Sequence, residues 1–174
     1  MLTSLIKANP ASIWKSWRMY PTNYNDLDDN DFGTSVAGTN FNVAGTSDYT
    51  SNGDFNTWIG TLFNYTDGQS VTVRALLFNS ITTGTKTFEA SLAAITPGDA
   101  QSVLTKSFGT AVSSGALAPN STANGLYLAT FVFDTAAKLN DLANGDFFAL
   151  KIAQTANTGT HGTTYIAFAE MYNS

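Results

Sequence analysis

Apolar and polar residues alternate through much of the second half of the chain, in short runs separated by turn residues. Apolar side chains occupy every second position between Ser70 and Asn79, between Thr87 and Ile95, and between Phe147 and Ala153. A two-residue period is that of a β-strand with one buried face. The pattern therefore predicts amphipathic strands, and in the last of these runs Phe148, Leu150 and Ile152 are expected to point inward.

Turn residues divide this region into seven or eight strands. Strands are predicted at 55–63, 70–79, 87–95, 103–109 (a weaker one), 126–133, 147–153 and 164–172. Two short helical turns, at 97–102 and 135–142, and a long Ser/Ala/Gly/Asn loop at 112–124 interrupt them. The prediction is an all-β fold, a jelly-roll-like antiparallel β-sandwich of about eight strands with two short helical turns and an N-terminal extended arm. The arm and its loop take residues 1–52 and the sandwich domain residues 53–174.

The arm lacks a clear period, and its most structured part is Ala11 to Tyr20, between Pro10 and Pro21. A strand is favoured there over a helix, because Pro21 prevents a helix from continuing. The stretch gathers aromatic, basic and Met side chains: Trp14, Trp17, Arg18, Met19 and Tyr20. These residue types are enriched at interface hot spots, so the cluster is either a docking surface or the core side of an added strand. Tyr24 and Tyr49 carry the same two interpretations.

Charge is scarce and unevenly placed. Charged residues make up 12% of the chain and the net charge is −5, which argues against a surface that coats nucleic acid. The first 20 residues hold three basic and no acidic residues, whereas residues 21–54 hold six aspartates and no basic residue. The chain has no cysteine, and none of its apolar runs approaches bilayer-spanning length. No nucleic-acid or membrane partner is therefore expected.

Residues for catalysis or metal binding are few. The single histidine, His161, lies in a Thr/Gly-rich stretch that predicts an exposed loop, and one imidazole cannot build a histidine metal site. Glu89 and Glu170 each lie in a predicted strand and cannot act as a pair if those strands belong to different sheets. The acidic run 26–31 departs from a calcium-binding loop at its sixth position, Asp31. We expect a solvated or partner-binding acidic loop, no metal site, no cofactor and no enzymatic activity.

The last 90 or so residues contain turn and core segments in a distinctive order. These segments are Phe88–Asp99, Lys106–Ala111, the strand from Leu126, the Gly145-Asp146-Phe147 turn and the closing Ile166-Ala167-Phe168. In this order they resemble a β-sandwich domain of tailed-bacteriophage structural proteins. The resemblance implies a jelly-roll-like fold and a virion setting, and it brings no catalytic residue with it.

Two functions follow as expectations from this resemblance. The first is a capsid decoration, or cement, protein on the outer surface of the virion capsid. Its partners would be the major capsid protein and further copies of itself, as a homodimer or homotrimer, and the cluster Trp14 to Tyr20 would grip the shell. The second is a head- or tail-fibre module that recognises a host-surface glycan, through the long loops at 112–124 and 154–164 or through exposed tyrosines.

Overall fold

The computed structural model describes residues 16–18, 20–24, 34–36, 43–45, 49, 52–102, 105–160 and 162–173 of the chain. For the strands before residue 46 it describes the backbone alone. The strands found there are β1 (Ser16–Arg18), β2 (Tyr20–Tyr24), β3 (Thr34–Val36), β4 (Val43–Gly45), β5 (Phe55–Thr61), β6 (Val71–Asn79), β7 (Thr85–Ile95), β8 (Val112–Leu117), β9 (Leu126–Phe133), β10 (Phe147–Thr158) and β11 (Thr164–Asn173). A short helix, α1 (Ala136–Leu139), lies between β9 and β10.

Two antiparallel sheets form the body of the molecule. One has the strand order β1-β11-β6-β9 and the other β2-β5-β10-β7-β8. If β1 and β5 to β11 are counted as eight successive strands, the two sheets follow the orders 1-8-3-6 and 2-7-4-5. This is the double Greek key of a jelly roll, with β2 as an extra edge strand beside β5. The predicted jelly-roll β-sandwich is confirmed.

The core lies between the sheets and follows the predicted alternation. Every second residue of β6 is fully buried, namely Val71, Val73, Ala75 and Leu77. The same holds for Phe88, Ala90 and Leu92 on β7 and for Phe148, Leu150 and Ile152 on β10. Strand β10 pairs with both β5 and β7, so its inward side chains lie at the centre of the five-stranded sheet. Removal of these apolar side chains from water is the main force that holds the two sheets together.

The arm supplies an edge strand to each sheet. Strand β1 pairs with β11, and β2 pairs with β5 through an irregularity between Pro21 and Asn23. Proline has no backbone N–H and occurs in sheets at edges and bulges, so its place in β2 fits an edge strand. Strand, and not helix, is thus found over 16–18 and 20–24. The domain boundary at residue 52 stays a prediction, although backbone pairing joins both sides of it.

Two local predictions are wrong. No strand forms over the described part of 103–109, which is residues 105–109, and the loop predicted over 112–124 begins with β8. Strand β8 pairs with β7, and the Ser114 hydroxyl accepts a hydrogen bond of 3.0 Å from the Phe88 N–H. Ser, Gly and Ala have weak strand preference, so this strand is set by its neighbour and gives little local signal.

The segment before β8 is shaped by close packing against α1. The Gly109 N–H donates to the Leu92 carbonyl at 2.8 Å, and the Thr110 N–H donates to the Ala137 carbonyl at 2.8 Å. A Cβ at Gly109 would lie 2.6 Å from the Ala137 carbonyl oxygen, so only glycine fits. The chain passes too near the helix for any side chain at this point, and the hydrogen bond from Gly109 to β7 does not extend into a strand.

Candidate functional site

The predicted anchor cluster divides between two sheet edges. Trp17 and Arg18 belong to β1, where they pair with Met171 and Glu170 of β11. Tyr20 belongs to β2 and pairs with Ile59 of β5. Trp14 and Met19 lie outside the described residues. The backbone thus places this stretch across one side of the sandwich, with β1 on the four-stranded sheet and β2 on the five-stranded sheet.

Tyr49, also assigned to the arm, belongs to the core. Its side chain is fully buried and its ring meets that of Phe88 edge to face, with centroids 5.2 Å apart. The Tyr49 hydroxyl donates to the Ile152 carbonyl at 2.9 Å, and its backbone bridges Thr164. The buried ammonium of Lys86 donates to the Tyr49 carbonyl. Of its two interpretations, core packing is correct and a docking role is excluded.

An apolar stripe lies on the outer face of the four-stranded sheet. Leu126, Leu128 and Val132 of β9 leave 52%, 51% and 40% of their surfaces exposed. They alternate with buried Ala129, Phe131 and Phe133, as expected for a strand with one face in the core. Strand β9 is an edge strand, so the stripe lies at the margin of the sheet opposite β1. Exposed apolar groups that cluster on one element are typical of a contact surface.

Aromatic rings and polar side chains occupy the neighbouring strands of this face. The guanidinium of Arg74 lies 4.8 Å from the ring centroid of Tyr172, and Phe78 stacks on Tyr165 with ring centroids 4.9 Å apart. Glu170 pairs with Arg74 in the register of β11 and β6. The centre of the face therefore combines aromatic rings with one basic and one acidic side chain, whereas the exposed residues of the β9 margin are mainly apolar.

The side chain of Lys151 lies near two aromatic rings on the outer face of the five-stranded sheet. The Lys151 ammonium lies 5.0 Å from the Phe108 ring centroid and 5.7 Å from that of Phe55. We call these three residues the Lys151 cluster. Phe55 is on β5, Lys151 is on β10 and Phe108 comes from the segment that packs near α1, so tertiary structure alone assembles it. Cation–π attraction holds the ammonium near both rings.

The two loops predicted to bind glycans differ from expectation. The first begins with β8, which leaves residues 118–125 as its loop portion. The second begins with Gln154, which is fully buried in β10 and donates a 3.3 Å hydrogen bond to Asn52 Oδ1. Strand β10 runs on to Thr158. These loops are therefore shorter than the sequence indicates.

The candidates for catalysis and ion binding do not converge. Glu89 lies on β7 of the five-stranded sheet and Glu170 on β11 of the four-stranded sheet. His161 and the acidic run 26–31 lie outside the described residues. In the part of the chain that the structure describes, no three His, Cys, Asp or Glu side chains are grouped as metal ligands. None of the described helices is long and apolar enough to cross a membrane.

The Asn-Gly-Asp turn before β10 is structural. The Tyr65 N–H donates to Asn144 Oδ1 at 3.1 Å, and the Asn144 N–H donates to Asp67 Oδ1 at 2.9 Å. Buried Asp146 accepts from the Ala143 N–H at 2.8 Å. The hydrogen bonds join this turn to the 64–68 turn, so the polar side chains of both turns stabilise the local backbone.

A shallow polar depression of about 350 Å³ lies beside α1. Among its lining residues are Gln101, Ser102, Lys106 and Asn140. The Asn140 amide already donates to the Ser107 carbonyl at 2.8 Å and to the Leu92 carbonyl at 3.2 Å. The Asn140 amide therefore stabilises the wall of the depression. The apolar stripe of β9 and the Lys151 cluster are stronger candidates for a binding surface.

The chain is similar in fold to solved β-sandwiches. It matches the structure titled "CBM4 structure and function" at 11% identity and a TM-score of 0.41, over 97% of this chain and 92% of that one. It matches the xylan-binding module CBM15 at 11% identity and 0.40, over 92% of each chain. It matches a chain of infectious bursal disease virus Gt strain at 14% and 0.39, over 90% of this chain and 31% of that one.

At these identities and TM-scores the likenesses give no indication of function. No protein-family model matches the sequence. No curated protein matches it either.

Proposed function

We propose that this protein is a structural virion protein of the capsid decoration type. The observation that carries the proposal is the pairing of β1 with β11, because it places Trp17 and Arg18 of the anchor cluster on an edge strand of the four-stranded sheet. The sequence before β1 adds Lys7, Trp14 and Lys15 and no acidic residue. Basic and aromatic residues of this kind are suited to contact with an assembled shell.

The charge division adds complementarity. The basic residues at 1–20 and the aspartates at 26–31 carry opposite signs within a short length of chain. Complementary patches on neighbouring subunits of a shell would attract both, which favours register and rapid association. The partner we propose is the major capsid protein, on the outer surface of the capsid. The anchor residues are Trp14, Trp17, Arg18, Met19 and Tyr20.

The mechanism is mass action and needs no catalysis and no cofactor. A protein that binds the assembled shell more tightly than free subunits stabilises the assembled state by its binding free energy. The contribution rises with the number of copies bound. Stabilisation of the particle against internal pressure is the expected consequence.

Deletion of residues 1–15 tests the proposal, because all described strands remain. We expect the truncated protein to fold, with an unchanged thermal midpoint, and to co-sediment more weakly with capsids that lack the native protein. It loses Lys7, Trp14 and Lys15, whereas the other four anchor residues remain. A matched variant, Lys7→Gln with Lys15→Gln, keeps the chain length and removes only charge, and its binding should weaken. A truncated protein that decorates capsids as well as the intact chain would overturn the proposal.

A second function is supported by the Lys151 cluster. An aromatic ring packs against the apolar face of a sugar, and an ammonium beside it attracts a carboxylate. The cluster would therefore favour an acidic host-surface glycan. We expect Phe108→Ala to reduce binding on an array of acidic and neutral glycans, with Lys151→Gln losing the acidic ones selectively. Equal binding by the intact chain and both variants would exclude this site.

A further inference from the structure

Strand β9 combines an open edge with an apolar outer face. Among the described strands, β6 alone pairs with it, so its other edge carries backbone groups that no described strand pairs. At its first residue the Asn120 side-chain amide donates to the Leu126 carbonyl at 3.0 Å. Its eight residues, Leu126–Phe133, include no charged side chain and no proline. Natural edge strands usually carry such residues, which block pairing with other chains. Their absence from β9 points to an edge that is built to be paired.

We propose that β9 pairs antiparallel with β9 of a second copy of this chain, so that the four-stranded sheets of two molecules join across a two-fold axis. A two-fold interface uses the same surface on both copies. The joined sheet would place the apolar stripes of the two molecules side by side and remove them from water. Backbone hydrogen bonds between the two strands would satisfy the open edge.

The side-chain pattern favours one register. Only pairings that oppose residues of equal parity keep outward side chains together. Centred on Ala129, the pairing sets Leu126 opposite Val132 and Leu128 opposite Thr130. Asp134, which follows the strand, then lies opposite Asn124 of the other copy and meets no like charge. This register overlaps nearly the whole strand, and an apolar cross-strand pair such as Leu126 with Val132 is stabilising.

The absence of charged side chains from β9 favours a second copy of this chain as the occupant. Each molecule has a net charge of −5, and a partner held by electrostatics would be basic and would bring charged groups to its binding surface. The stripe has no charged group that would bind such a partner, because β9 is uncharged. On the neighbouring strands β6 and β11, Arg74 and Glu170 lie opposite each other. A second β9 matches it in polarity, length and twist. The general repulsion between two acidic molecules is then the main electrostatic effect, and salt should reduce it.

The size of the contact predicts a weak dimer. An eight-residue strand is about 27 Å long at ~3.4 Å per residue, and one paired edge falls short of the ~800 Å² per partner of a standard interface. Association should therefore depend on concentration in free solution. On a particle that holds many copies close together, the effective concentration is high and such contacts persist. Strand β9 lies at the sheet edge opposite β1, so self-association leaves the proposed shell-binding edge open.

Sedimentation equilibrium on the full chain tests the inference. We expect a monomer–dimer equilibrium that strengthens as sodium chloride rises from about 0.05 to about 0.5 M. Leu128→Lys adds a charge at an exposed position and should weaken dimerisation about tenfold or more. Thr61→Lys adds the same charge at an exposed position of the other sheet and should leave it unchanged. A chain that stays monomeric, or that responds equally to both substitutions, would overturn the inference.

Cross-linking tests the register independently of affinity. The chain has no cysteine, so introduced thiols react only with each other. In the proposed register a mixture of Leu128→Cys and Thr130→Cys proteins should form disulfide-linked heterodimers faster than either protein forms homodimers, because directly opposite Cβ atoms are closer than diagonal ones. Equal rates in all three samples would rule out this strand pairing. Capsid co-sedimentation of Leu128→Lys separates the two proposals, since β1 and residues 1–15 are untouched.

Discussion

Tyr49, which the sequence leaves as either a docking residue or a core residue, belongs to the core in the structure. We expect Tyr49→Ala to lower the free energy of unfolding by about 3–5 kcal/mol, because a fully buried aromatic ring leaves a cavity against Phe88. Tyr49→Phe keeps the ring and loses only the hydrogen bond to Ile152, at a cost of about 1 kcal/mol. Urea denaturation measures both values.

The matched pair also separates stability from binding. If Tyr49 served a docking surface, Tyr49→Ala would reduce capsid binding and leave the denaturation midpoint in place. Because Tyr49 is a core residue, we expect Tyr49→Ala to lower the denaturation midpoint, and any loss of capsid binding should follow from the loss of stability. Equal stability of the two variants would contradict the packing described above.

Tyr127 gives the molecule a pH dependence at the alkaline end. Burial raises the pKa of its hydroxyl, and a hydrogen bond between this hydroxyl and the Thr164 side chain offsets part of that effect. Burial and the neighbouring charge of Asp67 also raise the pKa of Tyr65. A pKa that is higher in the folded state means that the unfolded chain loses its proton first, so stability is full below about pH 10 and falls as pH rises through the folded value.

Tyr127→Phe should therefore flatten the loss of stability above pH 10, and adding Tyr65→Phe should flatten it further. Thermal melts between about pH 8 and pH 11 follow this effect. An alkaline slope that is the same in both variants and in the intact chain would mean that neither hydroxyl is responsible.

At the scale of elements, β1 is a short strand whose contribution can be separated from that of the segment before it. Deletion of residues 1–15 leaves the pairing of β1 with β11 intact, whereas deletion of residues 1–18 removes it. The longer deletion should cost about 1–2 kcal/mol more, because β11 loses the hydrogen bonds of a three-residue partner. Guanidinium denaturation of the two truncated proteins gives the difference, and identical midpoints would show that β1 adds nothing to stability.

For the whole molecule, we expect a single unfolding transition. The two sheets share one core, and Tyr49 and Lys86 join the region before residue 52 to it. Calorimetry should therefore give equal calorimetric and van't Hoff enthalpies, with a heat-capacity change of about 2–2.6 kcal/mol/K for a chain of this length. Two separate transitions would instead mean that the predicted arm unfolds on its own.

The alternation of apolar and polar residues was sufficient to predict the main strands of the sandwich and the buried faces of β6, β7 and β10, and the number and spacing of the strands favoured a jelly roll. This succeeded because a strand with one buried face carries its burial pattern in its own residues. The same pattern places Leu126 and Leu128 on one face of β9, but it gives no indication of whether that face is covered. Exposure depends on which strands lie beside it, and the strand order supplies that information.

Tertiary structure alone decided the remaining features. The sequence of β8 has weak strand preference, and the strand forms because it pairs with the edge of β7. Gly109 is not part of a strand because α1 packs against it. Tyr49 reaches the core, and Lys151 meets Phe55 and Phe108, through contacts between residues far apart in the chain. Periodicity records the environment of one element, whereas edges, close approaches and clusters depend on the arrangement of several.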